Sequence, residues 1–213
     1  MPPAAPPLPA TSPAGATAVY LPSCTNRIFG PADGPSLPEA MVALAARAGQ
    51  VLHVPEDVAG VCCATPWNSK GYTDGAALMA RRTAEALVRW SDGGRLPVVM
   101  DASSCTLGLH GLGPSLPDDL RVRYEAVTVL DSLDYAAQVL LPQLTVEAKV
   151  DSVAVHAVCS VHHLGTASVL EQLAGAVAER VVNPVSAGCC GFAGDRGWLH
   201  PELPAAALRP EVA

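Results

Sequence analysis

The sequence predicts an α/β protein built as two pseudo-repeated lobes, each a small, mostly parallel sheet flanked by helices. Three observations lead there. Short apolar runs alternate along the 213 residues with longer segments of helical spacing. One cysteine layout is written twice: Cys24, the adjacent pair Cys62-Cys63 and Cys105, then Cys159 and the adjacent pair Cys189-Cys190. In both copies the cysteines fall where an apolar run stops. Strand–helix alternation with apolar strands favours a parallel sheet covered by helices, and such sheets bind ligands beyond the carboxyl ends of their strands.

The elements follow in order. MPPAAPPLPATSPAGA is Pro/Ala-rich, with neither a basic segment nor an apolar core. It reads as a disordered linker over 1–17 rather than a targeting peptide. AVYLP is a short strand ending before Cys24, LPEAMVALAARAG has helical spacing, and QVLHVPE is a second strand before the Cys62-Cys63 turn. GAALMARRTAEALVRWSDGG carries apolar positions three and four apart and stops at paired glycines; LPVVMDAS is a buried-type strand running into Cys105. These segments make the first lobe, 18–118. The second, 119–213, opens with the strand VTVLDS and the helix LDYAAQVLLPQL. VDSVAVHAV then ends at Cys159, TASVLEQLAGAVAE is a helix, and RVVNPV leads to Cys189-Cys190.

Composition narrows the function classes. All 7 cysteines belong to the repeated layout, an odd number in a chain without a secretory signal, which argues against a disulfide scaffold. A net charge of −7 and a pI near 5.2 disfavour nucleic acid, since binding phosphates needs a basic face. No stretch reaches the length of a membrane span once His53, Glu56, Asp101 and Asp151 interrupt it. The expected location is the cytoplasm, or peripherally at the inner face of a membrane.

Adjacent cysteines are poor disulfide partners for each other. They suit a metal cluster, because neighbouring thiolates can each bind a different iron. Cys24, Cys62, Cys63, Cys105, Cys159, Cys189 and Cys190 are therefore the candidate metal ligands. The alternatives are cysteines buried as small hydrophobes, and zinc, which adjacent sulfurs suit less well than a Cys-x-x-Cys pair.

The residues around the cysteines carry a family resemblance. SCTNRIFG (23–30), CCATPWNSKGY (62–72), DASSCTLGL (101–109) and CCGFAGDRGWLHPEL (189–203) resemble the carboxy-terminal iron–sulfur region of bacterial FAD-linked D-lactate dehydrogenases. That region belongs to the cysteine-rich CCG superfamily, with heterodisulfide reductase and the iron–sulfur subunits of glycolate and glycerol-3-phosphate oxidation. The resemblance covers nearly everything from Val19 to Leu203. It implies tandem cysteine-rich domains that carry electrons, with Cys24, Cys62, Cys63 and Cys105 holding one 4Fe-4S cluster. Cys159, Cys189 and Cys190 would hold a second only with another ligand, from a partner or a non-cysteine side chain.

Three departures stand out. Ala102 occupies the position that would complete a Cys-x-x-Cys with Cys105, Ala64 stands where the second copy has Gly191, and no cysteine follows Cys190. The sequence also has no G-x-G-x-x-G nucleotide loop and no ferredoxin spacing. A hydride from a 2-hydroxy acid needs a flavin or nicotinamide. The chain alone is therefore expected not to oxidise lactate. It would receive electrons from a FAD-containing domain or subunit and pass them to an acceptor such as a cytochrome or quinone. A thiol–disulfide module of the heterodisulfide reductase kind, and a truncated, non-enzymatic remnant, are the alternatives.

Five further residues are candidates for the surroundings of a cluster. Trp67 and Lys70 could pack over the first, with Lys70 offsetting thiolate charge, or be ordinary loop residues. His156, three before Cys159, is a candidate ligand or proton donor, or else a satisfied strand-end histidine; His162 and His163 are expected to be exposed. Asp195 and Arg196, with His200, could hydrogen-bond cluster sulfurs or form a structural ion pair at a helix start.

Overall fold

A computed structural model describes residues 2–192 and 194–211. The described chain divides into two compact units, the first ending at Leu144 and the second starting at Thr145. The fold is α/β, with one parallel sheet in each unit.

The first unit is built on a four-stranded parallel sheet of β1 (Ala18–Leu21), β2 (Leu52–His53), β3 (Val98–Met100) and β4 (Val129–Asp131), in spatial order β2-β1-β3-β4. Residues of β1 and β3 are almost wholly buried, which is why both read as uninterrupted apolar runs. The chain moves outward from β1 in one direction to reach β2 and in the other to reach β3. This reversal opens a crevice at the carboxyl ends of the two central strands.

Helices α1 (Cys24–Ile28) and α2 (Leu37–Arg47) connect β1 to β2. α2 begins at a capping box, in which Glu39 Oε2 accepts from the Ser36 backbone N–H at 2.8 Å and Ser36 caps the N–H of Glu39. After β2 come the short α3 (Thr65–Ser69) and the 18-residue α4 (Thr73–Trp90). Ala76, Ala80, Thr83, Ala84 and Leu87 of α4 recur at helical spacing and form its buried stripe. α4 ends before Asp92, Gly93 and Gly94, all with positive φ. Then follow β3, α5 (Ser103–His110), α6 (Asp118–Glu125), β4 and α7 (Ser132–Tyr135), which runs on as a wider helical turn through Ala136–Leu140.

Two expectations are revised here. The expected lobe boundary between 118 and 119 falls inside the first unit, because VTVLDS supplies β4, paired with β3 from Val98 opposite Val129 to Met100 opposite Asp131. Alternation alone does not say which sheet a strand joins. The expected disordered linker instead packs on the first unit. Ala4 bridges Phe29 in antiparallel sense, Gly30 N–H donates to Pro3 at 2.9 Å, and Val54 N–H donates to Thr11 Oγ1 at 2.7 Å. A Pro-rich strand lacks donors for a full ladder yet can still offer carbonyls to an edge.

In the second unit β5 (Val150–Ala154) pairs in parallel with β6 (Ala178–Val182), and α8 (Cys159–Leu164) and α9 (Ala167–Val177) connect them. α10 (Arg196–Leu199) and α11 (Glu202–Leu208) follow. The order repeats that of the first unit: Cys24 opens α1 after β1, and Cys159 opens α8 after β5.

Candidate metal centre

Four cysteines from three separate segments meet at the crevice. Cys24 enters three residues beyond β1, Cys62 and Cys63 from the segment after β2, and Cys105 from the first turns of α5 beyond β3. All four line one pocket, together with Leu21, Pro22, Ser23, Arg27, Val61 and Met100. Cys63 and Cys105 are buried, whereas Cys24 and Cys62 are half-buried. Among the described residues no three His, Cys, Asp or Glu side chains form a shell around a single metal ion.

The backbone that presents these sulfurs is fastened at each strand end. Asp101, the residue after β3, is buried; its Oδ2 accepts from the Tyr20 hydroxyl at 2.6 Å and its Oδ1 from the Ser23 N–H at 2.7 Å. Ser23 is the N-cap of α1 and the residue before Cys24. One carboxylate thus ties the exit of β1 to that of β3. Asp131, at the end of β4, does the same for α5: its Oδ2 accepts from Thr106 at 2.8 Å, beside Cys105, and its Oδ1 from Leu133 N–H. Thr83, fully buried on α4, holds Cys62 by both backbone groups, donating to its carbonyl at 2.8 Å and accepting from its N–H at 3.2 Å.

The turn after the cysteine pair has a strict geometry. Ala64 lies in the left-handed region at φ 64°, and Gly191, its counterpart after Cys190, has φ 70°. The missing glycine therefore does not change the turn; Ala64 tolerates it with its Cβ buried. Gly108, three residues after Cys105 and so on the same side of α5, lets that helix approach the turn. A Cβ there would come within 2.9 Å of the Cys63 carbonyl oxygen and would clash with Thr65 Oγ1.

Cys62, Cys63 and Cys105 shift one another's titration. Hydrogen bonds from the Cys105 and Cys62 thiols, with one from Thr65, favour the Cys63 thiolate and hold its pKa far below that of a free thiol. Donating to Cys63, together with burial, pushes the Cys62 and Cys105 thiols up. The arrangement thus favours the thiolate at Cys63 over that at Cys62 or Cys105.

The fold and pocket invite comparison with known proteins. Residues 18–110 match the family model of the cysteine-rich domain, CCG. The matched stretch runs from β1 through α5 and includes all four pocket cysteines, while Asp131 and β4 lie beyond it. The match is consistent with an iron–sulfur electron-transfer module. No curated protein and no solved structure matches the chain.

The other expected site residues are placed differently. Trp67 and Lys70 sit on and just after α3, outside the residues that line the pocket. Trp67 stacks edge-on with Tyr72, their ring centroids 6.3 Å apart, and packs on Gly75. In the second unit Cys159 and Cys189 are exposed and Cys190 is half-buried. His156 Nδ1 lies 2.7 Å from Glu211 Oε2, and His156 Nε2 is buried without a hydrogen bond. Asp195 occupies the N-cap position of α10, Arg196 is exposed on that helix, and His200 Nδ1 is 3.1 Å from Glu202. His162 and His163 are exposed on α8.

Asp101, Asp131, Thr83, Gly108 and Arg27 escaped the sequence reading. A signal existed for the first two: in VVMD and TVLD an aspartate directly follows an apolar run, where an unpaired carboxylate would be costly to bury. Arg27 stands three residues after Cys24, which places both on one side of a helix. Thr83 and Gly108 read as ordinary helix residues, and only their tertiary neighbours distinguish them.

Proposed function

We propose that the first unit is an electron-transfer module whose Cys24, Cys62, Cys63 and Cys105 hold a 4Fe-4S cluster, and that it serves a FAD-linked D-2-hydroxyacid dehydrogenase such as a D-lactate dehydrogenase. The convergence of four thiols from three neighbouring strand ends on one pocket is the observation that carries this reading. Such a cluster supplies one-electron transfer, which no side chain of the chain supplies. Four thiol donors satisfy its ligand count. Cys62 and Cys63, adjacent in sequence and turned by Ala64, would each take a different iron, with Cys24 and Cys105 supplying the other two ligands.

The remaining residues hold the donors ready. Asp101, Asp131 and Thr83 fix the segments bearing Cys24, Cys105 and Cys62, so little conformational freedom is lost on loading. Leu21, Val61 and Met100 give the pocket apolar walls. The flavin that takes the hydride would belong to a partner domain or subunit, and a cytochrome or quinone would take the electrons onward.

Anaerobic reconstitution with iron and sulfide, with iron and acid-labile sulfide counted, tests the proposal. The wild type should bind about four iron per chain in a form that shows paramagnetic resonance on reduction. Cys105→Ser should lose most of it, and Cys159→Ser should leave the first cluster unchanged. Tight zinc binding with no iron uptake by the wild type would refute the reading. Reduction of the loaded chain by a flavoprotein 2-hydroxyacid dehydrogenase tests the partner; reduction by small thiols alone would favour disulfide chemistry.

A further inference from the structure

We propose that Arg27 donates a hydrogen bond from Nε to the anionic group held by the four cysteines and so raises its reduction potential, an inference that rests on the cluster reading above. Arg27 is the one charged side chain among the described residues that line the pocket. It lies one helical turn after Cys24 on α1, and both face the same pocket.

Two of its nitrogens are already committed. Nη1 donates to the Val58 carbonyl at 2.6 Å, and Nη2 donates at 3.0 Å to the carbonyl of Val61, the residue before Cys62. These bonds fix the plane of the guanidinium and tie the helix bearing Cys24 to the segment bearing Cys62. The third nitrogen, Nε, is buried and makes no hydrogen bond. Buried donors are almost always paired, and a guanidinium cannot shed its charge to escape the cost. An unpaired Nε–H in the wall of a pocket lined by four sulfurs is explained by an acceptor within that pocket.

The electrostatic consequence has a definite sign. Reduction adds one negative charge to the group, and a fixed cation with an N–H donor stabilises the reduced form more than the oxidised one. Hydrogen bonds and local charge are among the levers that set iron–sulfur potentials. Removing Arg27 should therefore make the centre harder to reduce.

Wild type, Arg27→Gln and Arg27→Lys are reconstituted with iron and sulfide. Bound iron is counted and the midpoint potential is read by paramagnetic resonance during dithionite titration. Arg27→Gln should still load, and its reduction should be at least tenfold less favourable, a shift of about 59 mV to more negative potential for a one-electron couple. Arg27→Lys keeps the charge but gathers its donors on one nitrogen, without the planar fork that sets Nη1, Nη2 and Nε toward three separate positions. Its shift should be in the same direction and at least threefold, and it carries the test if the glutamine variant does not fold. A loaded variant with wild-type potential overturns the role of Arg27 while leaving the cluster standing. No iron uptake by the wild type overturns both. If neither variant folds, as read by circular dichroism, Arg27 is a structural clasp and the inference fails.

Discussion

Asp101 ties the exits of β1 and β3 together beside the pocket, and removing it exposes what holds the crevice together. Asp101→Ala orphans two buried donors, the Tyr20 hydroxyl and the Ser23 N–H. Each unsatisfied buried donor costs about 1–3 kcal/mol, so the pair bounds the loss at about 2–6 kcal/mol. The carboxylate's own desolvation is relieved at the same time, and water can enter beside a pocket-lining serine. We therefore expect about 2–4 kcal/mol, a large part of a domain's typical stability of about 5–15 kcal/mol. Asp101→Asn should cost only about 1 kcal/mol, because its carbonyl still accepts from Ser23 and the Tyr20 hydroxyl can rotate to accept from its amide. The assay is urea denaturation of the reduced, metal-free chain followed by circular dichroism, for Asp101→Ala, Tyr20→Phe and the double variant. The coupling between the two sites should be about 1–2 kcal/mol. An Asp101→Ala variant within about 0.5 kcal/mol of wild type, or additive with Tyr20→Phe, would refute the reasoning.

Three further outcomes follow from the same structure. Gly108→Ala gains up to about 1 kcal/mol of helix propensity but forces its Cβ against the Cys63 carbonyl, an overpacking cost of about 1–3 kcal/mol. It should therefore be neutral to destabilising in urea and should cut iron uptake several-fold; wild-type loading would count against a close approach of α5 to the turn. Ala64→Gly relieves about 1–2 kcal/mol of left-handed strain but loses a buried methyl and gains unfolded-state entropy, together of similar size. Its melting point should stay near wild type, whereas Ala64→Val, with a branched Cβ at positive φ, should melt many degrees lower. Tyr124, whose hydroxyl donates to the Leu109 carbonyl at 2.9 Å, has its pKa pushed up by burial. A group raised in the folded state contributes its full stability below its unfolded pKa of about 10 and loses it as pH rises past that value. The advantage of wild type over Tyr124→Phe, about 1 kcal/mol at pH 8, should shrink by about 1.4 kcal/mol per pH unit above pH 10 and invert near pH 11. An advantage that stays constant from pH 8 to 11 would show that Tyr124 ionises freely in the fold.

Much of the sheet was legible because burial on both faces writes a strand as a plain apolar run. AVYLP and LPVVMDAS became β1 and β3, the two most buried strands, and their ends located Cys24 and Cys105. The α2 and α4 segments announced themselves by spacing and by the glycine pair after Trp90. The assignment of VTVLDS to a sheet was not legible. A strand's partner depends on which edge is free after folding, and no local property of 127–132 records that. The Pro/Ala segment was misread for a related reason. Its composition lacks a core of its own, yet Leu8 and Thr11 found neighbours on a unit already built.

By itself, the sequence determined the chemistry available: seven thiols in a repeated layout, set at strand ends by hydrophobic pattern alone. Only the tertiary structure decided which of them act together. In the first unit the reversal of strand order brings three strand exits side by side, so Cys24, Cys62, Cys63 and Cys105 share one pocket. It also decided which charge stands beside them: Arg27 lines the pocket, and Lys70 lies outside that lining. The physical reason is common to both. Residue type and local periodicity are carried by neighbours in the chain, whereas a binding site is made by groups that become neighbours only when the strands have paired.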